Sequence, residues 1–394
     1  MSPLWGTLCD RLGISRARSQ ARGARFVRPR PLGPHGDRLI SWYRQQKRDL
    51  PWRQSKDPYR ILVSEVMLQQ TRVAAVLPYF ERFVRQFPSF QALASASLDD
   101  VLKAWQGLGY YRRAQYLHEA AKIVAREYQG QLPNQPEMLA SLPGVGPYTA
   151  AALASIVFGH PEPVLDGNSV RVLCRFFGIR GKPSLAQNRR RLRNLARHLM
   201  GRNSPGDFNQ AMMELGAVVC TPRKPRCPDC PLVVACRAYQ TQEVDLIPNR
   251  SRSRNLPHFH VAAGIIWNDG RILIAQRLPD GMLANLWEFP GGKPEAGENL
   301  EECVIREIRE ELQIEVAVCC PFVAVEHAYS HFRITLHTYH CVHRGGEPKP
   351  VGCQRFAWVR PIELLRFPLP AASLRVAERL LQSPIPTCLT ELAR

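Results

Sequence analysis

The chain has 394 residues, 45% of them hydrophobic, enough to bury a sizeable core in two or three domains. Its formal net charge of +19 points to a polyanionic partner, nucleic acid first, and between Arg180 and Arg202 stand eight Lys or Arg with no Asp or Glu. No apolar run approaches the roughly 18 to 20 residues of a membrane span, and twelve scattered cysteines without a signal-peptide core argue against a secreted disulfide scaffold, so the expected compartment is a reducing cytoplasm, at the bacterial nucleoid.

Residues 1–36 carry seven Arg, one acidic residue and no sustained periodicity, and read as a disordered basic arm. The same bias suits an organellar or nuclear targeting segment or a DNA-binding tail, so targeting stays open. From residue 37 the apolar spacing becomes helical. The stretches 59–71 (YRILVSEVMLQQT), 98–109, 112–128 and 148–159 each repeat near 3.6 residues, with Gly and Pro between them. The spacing predicts an all-α domain of about ten short helices over 37–236.

Two acids stand out within it. Glu65 sits on an apolar helix face, where desolvation raises a carboxyl pKa, although a helix-surface charge is the plainer reading. Asp166 opens LDGNSVRVL, a helix start where backbone N–H groups favour an anion, and an ordinary N-cap is its plainer reading. In LPGVGPYTAAA, Gly144 and Gly146 precede a helix. Such glycines permit positive φ and close backbone approach, so the N–H groups can cradle a phosphate.

The run CTPRKPRCPDCPLVVAC, residues 220–236, spaces Cys220, Cys227, Cys230 and Cys236 as C-x6-C-x2-C-x5-C. Four thiolates this dense bind zinc or an iron–sulfur cluster. Residues 237–257 are polar, basic and aperiodic and read as a linker, after which the pattern changes. FHVAAGIIW and RILIAQR read as strands joined by an Asn-Asp-Gly turn, FRITLHTYHCV alternates like another, and residues 299–312 form a helix. An α+β domain over 258–385 is expected, with a tail at 386–394.

The cysteine spacing after a helical domain resembles the [4Fe–4S] loop of the helix-hairpin-helix DNA glycosylases, the group containing endonuclease III and the MutY-type adenine glycosylases. LPGVGPYTAAA followed by LDGNSVRVLCR resembles their hairpin signature. The residues from Gly292 to Ile314 fit the Nudix box, G-x5-E-x7-R-E-U-x-E-E-x-G-U, except that Gln313 replaces the last glycine. The whole is identified as a member of the MutY type: an all-α helix-hairpin-helix glycosylase domain with an iron–sulfur loop, then an α+β Nudix-fold domain.

The resemblance implies a monomeric enzyme that flips and hydrolyses adenine, in double-stranded DNA, mispaired with 8-oxoguanine or with G. Glu65 would protonate the departing base and Asp166 would stabilise the oxocarbenium sugar, with Asn168 orienting the pair. Endonuclease III-type relatives carry a Schiff-base lysine where this chain has Tyr148, which implies a monofunctional glycosylase. Trp52 and Arg53 would hold the flipped adenine and Gln210 would read its edge. Gln70, Thr71, Leu108 and Tyr110 would surround the opposing base, with Gln70 and Tyr110 as wedges. Tyr329, Ser330 and His331 stand where relatives carry an F-S-H loop that touches 8-oxoguanine. Two alternatives remain: an active Nudix pyrophosphatase holding Mg²⁺ at Glu307, Glu310 and Glu311, and a catalytically silent lesion sensor.

Overall fold

The computed structural model describes residues 33–201, 204–249, 256–384 and 387. The expected arm therefore lies outside the described residues up to residue 32, and the tail does so apart from residue 387. Residues 33–36 already belong to α1 (Gly33–Gln46), followed by α2 (Pro58–Leu68), α3 (Val73–Gln86), α4 (Phe90–Ser95), α5 (Leu98–Trp105) and α6 (Arg112–Glu127). Then come α7 (Pro136–Ala140), α8 (Pro147–Ile156), α9 (Gly167–Phe177), α10 (Ala186–Met200), α11 (Pro205–Val218) and the short α12 (Arg237–Gln240).

Local chemistry sets these boundaries. Asp57 accepts from Tyr59 N at 2.9 Å with Pro58 at the first helical position, and Ser97 accepts from Asp100 N at 3.1 Å to open α5. The helices expected over 59–71 and 98–109 stop early. Gln70 has φ +58° and Gly107 and Gly109 have φ +95° and +77°, left-handed backbone that no α-helix continues through. The helix expected over 148–159 likewise ends at Ile156, ahead of Gly159 with φ +74°.

The helices bury two cores. One gathers Leu62, Phe80, Phe83, Trp105 and Leu117 from α2, α3, α5 and α6. The other gathers Tyr43, Leu173, Leu199 and Phe208 from α1, α9, α10 and α11, together with Leu232, Ala238 and Ile247. Part of the expected linker is thus packed structure: Ala238 and Ile247 are buried and hold the chain against the second core. Among the described residues no helix is long and apolar enough to cross a membrane.

The second domain is a mixed seven-stranded sheet, ordered β3-β2-β1-β6-β5, with β4 pairing β1 and β7 pairing β2. Its strands are β1 (His258–Asn268), β2 (Arg271–Gln276), β3 (Trp287–Glu288), β4 (Gly291–Gly292), β5 (Glu315–Ala328), β6 (Arg333–Gly345) and β7 (Arg355–Val359). The β1–β2 hairpin turns on Asp269 and Gly270, φ +46° and +71°, the backbone a two-residue hairpin demands. Helices α13 (Leu300–Leu312) and α14 (Ala371–Gln382) pack on the sheet. Gln313, at the Nudix glycine position, caps α13 with φ +56°, a left-handed cap where glycine is the cheaper residue.

The two domains touch. Leu286 of the Nudix-fold domain is fully buried in the first helical core. Gln115 Nε2 donates to Ala284 O at 2.8 Å, and Lys103 Nζ to Phe367 O at 3.3 Å. Asp99 in the first turn of α5 forms a 2.8 Å ion pair with Arg355 of β7.

Candidate active site

One cavity of about 520 Å³ lies where the two helical cores meet, and Trp52, Arg53, Glu65, Thr71, Tyr148, Asp166, Asn168 and Gln210 all line it. Glu65 reaches it from α2, only 5% exposed, and its Oε2 has no hydrogen-bond partner. Burial pushes the Glu65 carboxyl up to about 7, with the Tyr148 hydroxyl and Arg53 pulling down and the Asp166 charge pushing up. Near neutrality it therefore holds a proton for much of the time. Burial also drives the Tyr148 phenol well above its usual range, so it stays neutral, and it donates to Met213 Sδ at 3.3 Å.

Asp166 enters from the opposite core as the N-cap of α9. Its Oδ1 accepts from Ser169 N at 2.7 Å while Ser169 Oγ accepts from Asp166 N at 2.9 Å, and Oδ2 takes no hydrogen bond among the described residues. The ordinary capping role and a place in the cavity thus coexist in one side chain. The side-chain partner of Asn168 is Arg171, whose Nη2 donates to Asn168 Oδ1 at 2.9 Å, rather than either carboxyl.

Beside the carboxyls stands a charge cluster that the sequence pattern had left unread. Glu214 of α11, fully buried, accepts from Arg48 at 2.7 and 2.8 Å and from Arg53 Nη2 at 2.9 Å. Burial alone would raise its pKa, but these arginines hold it down to about 2. A lone acid inside FNQAMMELGAVV carries the same signal as Glu65 and could have been found by it. Gln210 is also held, its Oε1 accepting from the Tyr43 hydroxyl at 3.1 Å.

The remaining expected contact residues face a second cavity of about 1080 Å³ between the domains. Gln70, Thr71, Leu108, Tyr110, Gly144 and Gly146 line it from the helical side, and Tyr329, Ser330 and His331 from the Nudix-fold side, where the Tyr110 hydroxyl meets Ser330 Oγ. Thr71 lines both cavities. Gln70 and Tyr110 have φ +58° and +51°, a costly backbone for non-glycine residues. Arg113 holds it in place: buried, it donates to Met67 O at 2.7 Å, Gln69 O at 2.6 Å and Gly109 O at 2.9 Å, tying both loops together. Of the two hairpin glycines only Gly144 has positive φ, +72°, and an added Cβ would stand 2.8 Å from Tyr116 Cβ. Gly146 has no positive φ: it is the extended N-cap of α8, φ −75°, with nothing within 4 Å of an added Cβ.

Residues 63–198 match the family model of the HhH-GPD superfamily base excision DNA repair proteins, and residues 262–379 match the NUDIX domain. The chain is 38% identical over 361 residues to the adenine DNA glycosylase of Mus musculus, covering 76% of this chain and 69% of that protein. It is 37% identical to the adenine DNA glycosylase of Rattus norvegicus, covering 82% and 73%, and 34% identical to that of Buchnera aphidicola, covering 75% and 82%. The chain belongs to the adenine DNA glycosylase family. It is thus a DNA N-glycosylase of base-excision repair with a C-terminal Nudix-fold domain.

Members of this enzyme group carry a [4Fe–4S] cluster, and the cysteine loop suits one. Cys220, Cys227, Cys230 and Cys236 are free and half-buried, and burial first, then the charges of neighbouring thiolates, pushes up the thiols of Cys227, Cys230 and Cys236, Cys230 to about 12. Arg175, buried in α9, donates to Cys220 Sγ at 3.3 Å and Thr221 O at 2.7 Å and has no carboxylate partner among the described residues, so an anionic centre would balance it. No group of three or more His, Cys, Asp or Glu among the described residues is placed to hold a single metal ion.

The same holds for the Nudix acids. Arg306 pairs with Glu298 at 2.8 Å, Glu307 at 3.2 Å and Glu310 at 3.1 Å. Glu311 lies deeper, its carboxyl pushed up to about 8 by burial and by the Glu288 and Glu307 charges. Of the three acids named for Mg²⁺ in the pyrophosphatase alternative, Glu307 and Glu310 are thus engaged by Arg306 and Glu311 lies buried behind them.

Proposed function

We propose that this chain removes adenine opposite 8-oxoguanine by hydrolysis, with Glu65 as general acid and Asp166 as the stabiliser of the oxocarbenium sugar. The observation that carries the reading is the single cavity into which a carboxyl raised to about 7 and a helix-capping aspartate both open. Two acids in different environments are what cleavage of an N-glycosyl bond requires.

The flipped adenine would enter between Trp52 and the Arg53 guanidinium, with Gln210 at its edge. Glu65 delivers its proton to the base as the bond from the base nitrogen to C1′ breaks, and the electron pair leaves with the base. Positive charge then grows on the sugar, where the Asp166 carboxylate stabilises it directly or through a transient ester. A water adds to C1′ and gives its proton to a carboxylate. Tyr148 carries no amine, so no imine forms and the strand is not cut. Trapping with borohydride should capture no enzyme–DNA adduct while adenine is released; an adduct would refute the monofunctional reading.

The cavity between the domains suits the opposing base, with Gln70 and Tyr110 entering from one side and Tyr329, Ser330 and His331 reading from the other. In the cysteine loop, Cys220, Cys227, Cys230 and Cys236 would hold the [4Fe–4S] cluster, a structural centre that presents Arg223, Lys224 and Arg226 to DNA phosphates. The engagement of Arg306 with the Nudix acids favours a reader over a pyrophosphatase.

A further inference from the structure

Three side chains of the Nudix-fold domain converge on one carboxylate of the helical domain. Gln276 Nε2 donates to Asp99 Oδ1 at 3.1 Å, Trp287 Nε1 to Oδ2 at 3.3 Å and Arg355 Nη2 to Oδ2 at 2.8 Å. The donors come from three strands, β2, β3 and β7, and brace one another. Arg355 Nε donates to Gln276 Oε1 at 2.7 Å, and the Arg355 guanidinium lies 5.0 Å from the Trp287 ring centroid. Gln276 and Trp287 are buried, so neither finds water in place of a lost acceptor.

Asp99 lines neither cavity. It sits at one end of α5, and the other end runs straight into the loop that carries Leu108 and Tyr110, where Trp105 Nε1 donates to Gly109 O at 3.1 Å. A helix of this length is a strut of about 12 Å. On the other side, the segment joining β2 to β3 places Met282, Leu283 and Ala284 on the wall of the interdomain cavity. The carboxylate thus fixes the roots of both walls of that cavity, and the Tyr110–Ser330 contact closes its far side.

We infer that Asp99 is a positioning residue that locks the Nudix-fold domain onto the helical domain and so sets the gap in which the opposing base is read. The inference rests on the assignment of that cavity to the opposing base. A shift of the order of 1 Å at reading side chains costs far more than the hydrogen bonds themselves, because recognition depends on placed donors and acceptors. Release of adenine opposite 8-oxoguanine would then depend on Asp99. Release opposite plain guanine, which draws less on the reading loop, would not.

The experiment compares single-turnover adenine release from A·8-oxoguanine and A·G duplexes by the full chain and by Asp99→Ala. The expected result is a loss of roughly tenfold on A·8-oxoguanine with A·G changed by less than about twofold, at a Tm lowered by the donors left without an acceptor but still well above the assay temperature. Arg355→Ala and Trp287→Phe, which remove one donor each, should narrow the preference in the same direction and carry the test if Asp99→Ala does not fold. The charge-swapped pair Asp99→Arg with Arg355→Asp should recover part of it. A preference kept in full by Arg355→Ala and Trp287→Phe, or by Asp99→Ala, overturns the inference alone. A wild-type chain without any preference overturns the reading of the cavity and the inference with it.

Discussion

Arg53 Nη2 donates to Glu214 Oε2 at 2.9 Å on the wall of the cavity that Glu65 enters. Both partners are almost wholly buried, and Arg48 completes the set through Glu214 Oε1 at 2.7 Å. A buried carboxylate accepting from two arginines fixes both guanidinium planes, so the Arg53 cation is held in place on the cavity wall.

Glu214→Gln removes that anion and leaves two guanidinium groups close together without a counter-charge. Breaking such a pair costs about 3 kcal/mol, and base release should fall by roughly 10- to 100-fold. The stability due to Glu214 is present above its ordinary value of 4.5 and lost as pH falls toward about 2. Urea denaturation at pH 7 should therefore show the variant's deficit in full, and acid titration should show it shrinking below about 4.5.

The pH dependence of Glu65 runs the other way. Its carboxyl is raised from 4.5 to about 7, so the folded chain holds a proton that the unfolded chain has released. Stability from the neutral form is intact below 4.5 and lost as pH rises through about 7, on the order of 3 kcal/mol in all. Glu65→Gln, neutral at every pH, should escape that loss, and thermal melts at pH 5 and pH 8 compare the two. Single-turnover base release by the unaltered chain should fall about tenfold per pH unit above about 7.

Arg113 donates to backbone carbonyls of both loops that present Gln70 and Tyr110 and has no carboxylate partner among the described residues. Arg113→Gln should cost about 3 kcal/mol. Hydrogen exchange should become faster at residues 69–71 and 108–110, while the core amides of α11 stay protected.

Replacing Cys230 by Ser removes one of four thiolates. Charge-transfer absorption of iron bound to thiolate, expected at about 400 nm, should be lost together with affinity for an undamaged duplex. Affinity retained after the absorption is lost would show that duplex binding needs no cluster, and absorption retained in full would show that Cys230 is not a ligand.

The full chain with Mg²⁺ and 8-oxo-dGTP should release no pyrophosphate, because Arg306 engages Glu307 and Glu310. Release above background would restore the pyrophosphatase reading.

Much of this was legible because its signals are local. Glu65 is a charge alone on an apolar helix face, the hairpin turn at Asp269 and Gly270 is written in three residues, and the cysteine spacing needs only seventeen residues of chain. What stayed hidden depends on partners far apart in sequence. Arg113 reads as half of a basic pair, since its acceptors are carbonyls up to 47 residues away. Asp99 reads as an acid complementing the α5 dipole, since its donors lie 177 to 256 residues on. The parallel β1–β6 pairing and the burial of Ala238 and Ile247 depend on tertiary packing, which no local period encodes. At Gly146 the motif permits a positive φ that the backbone, at φ −75°, does not use.

The most direct test of the two-carboxyl account is single-turnover adenine release from an A·8-oxoguanine duplex at pH 7 by the full chain, by Glu65→Gln and by Asp166→Asn. The account predicts release by the unaltered chain, and a loss of at least roughly a hundredfold in each variant with duplex binding retained. Release by Glu65→Gln at the unaltered rate, or no release of adenine by the unaltered chain, would contradict it.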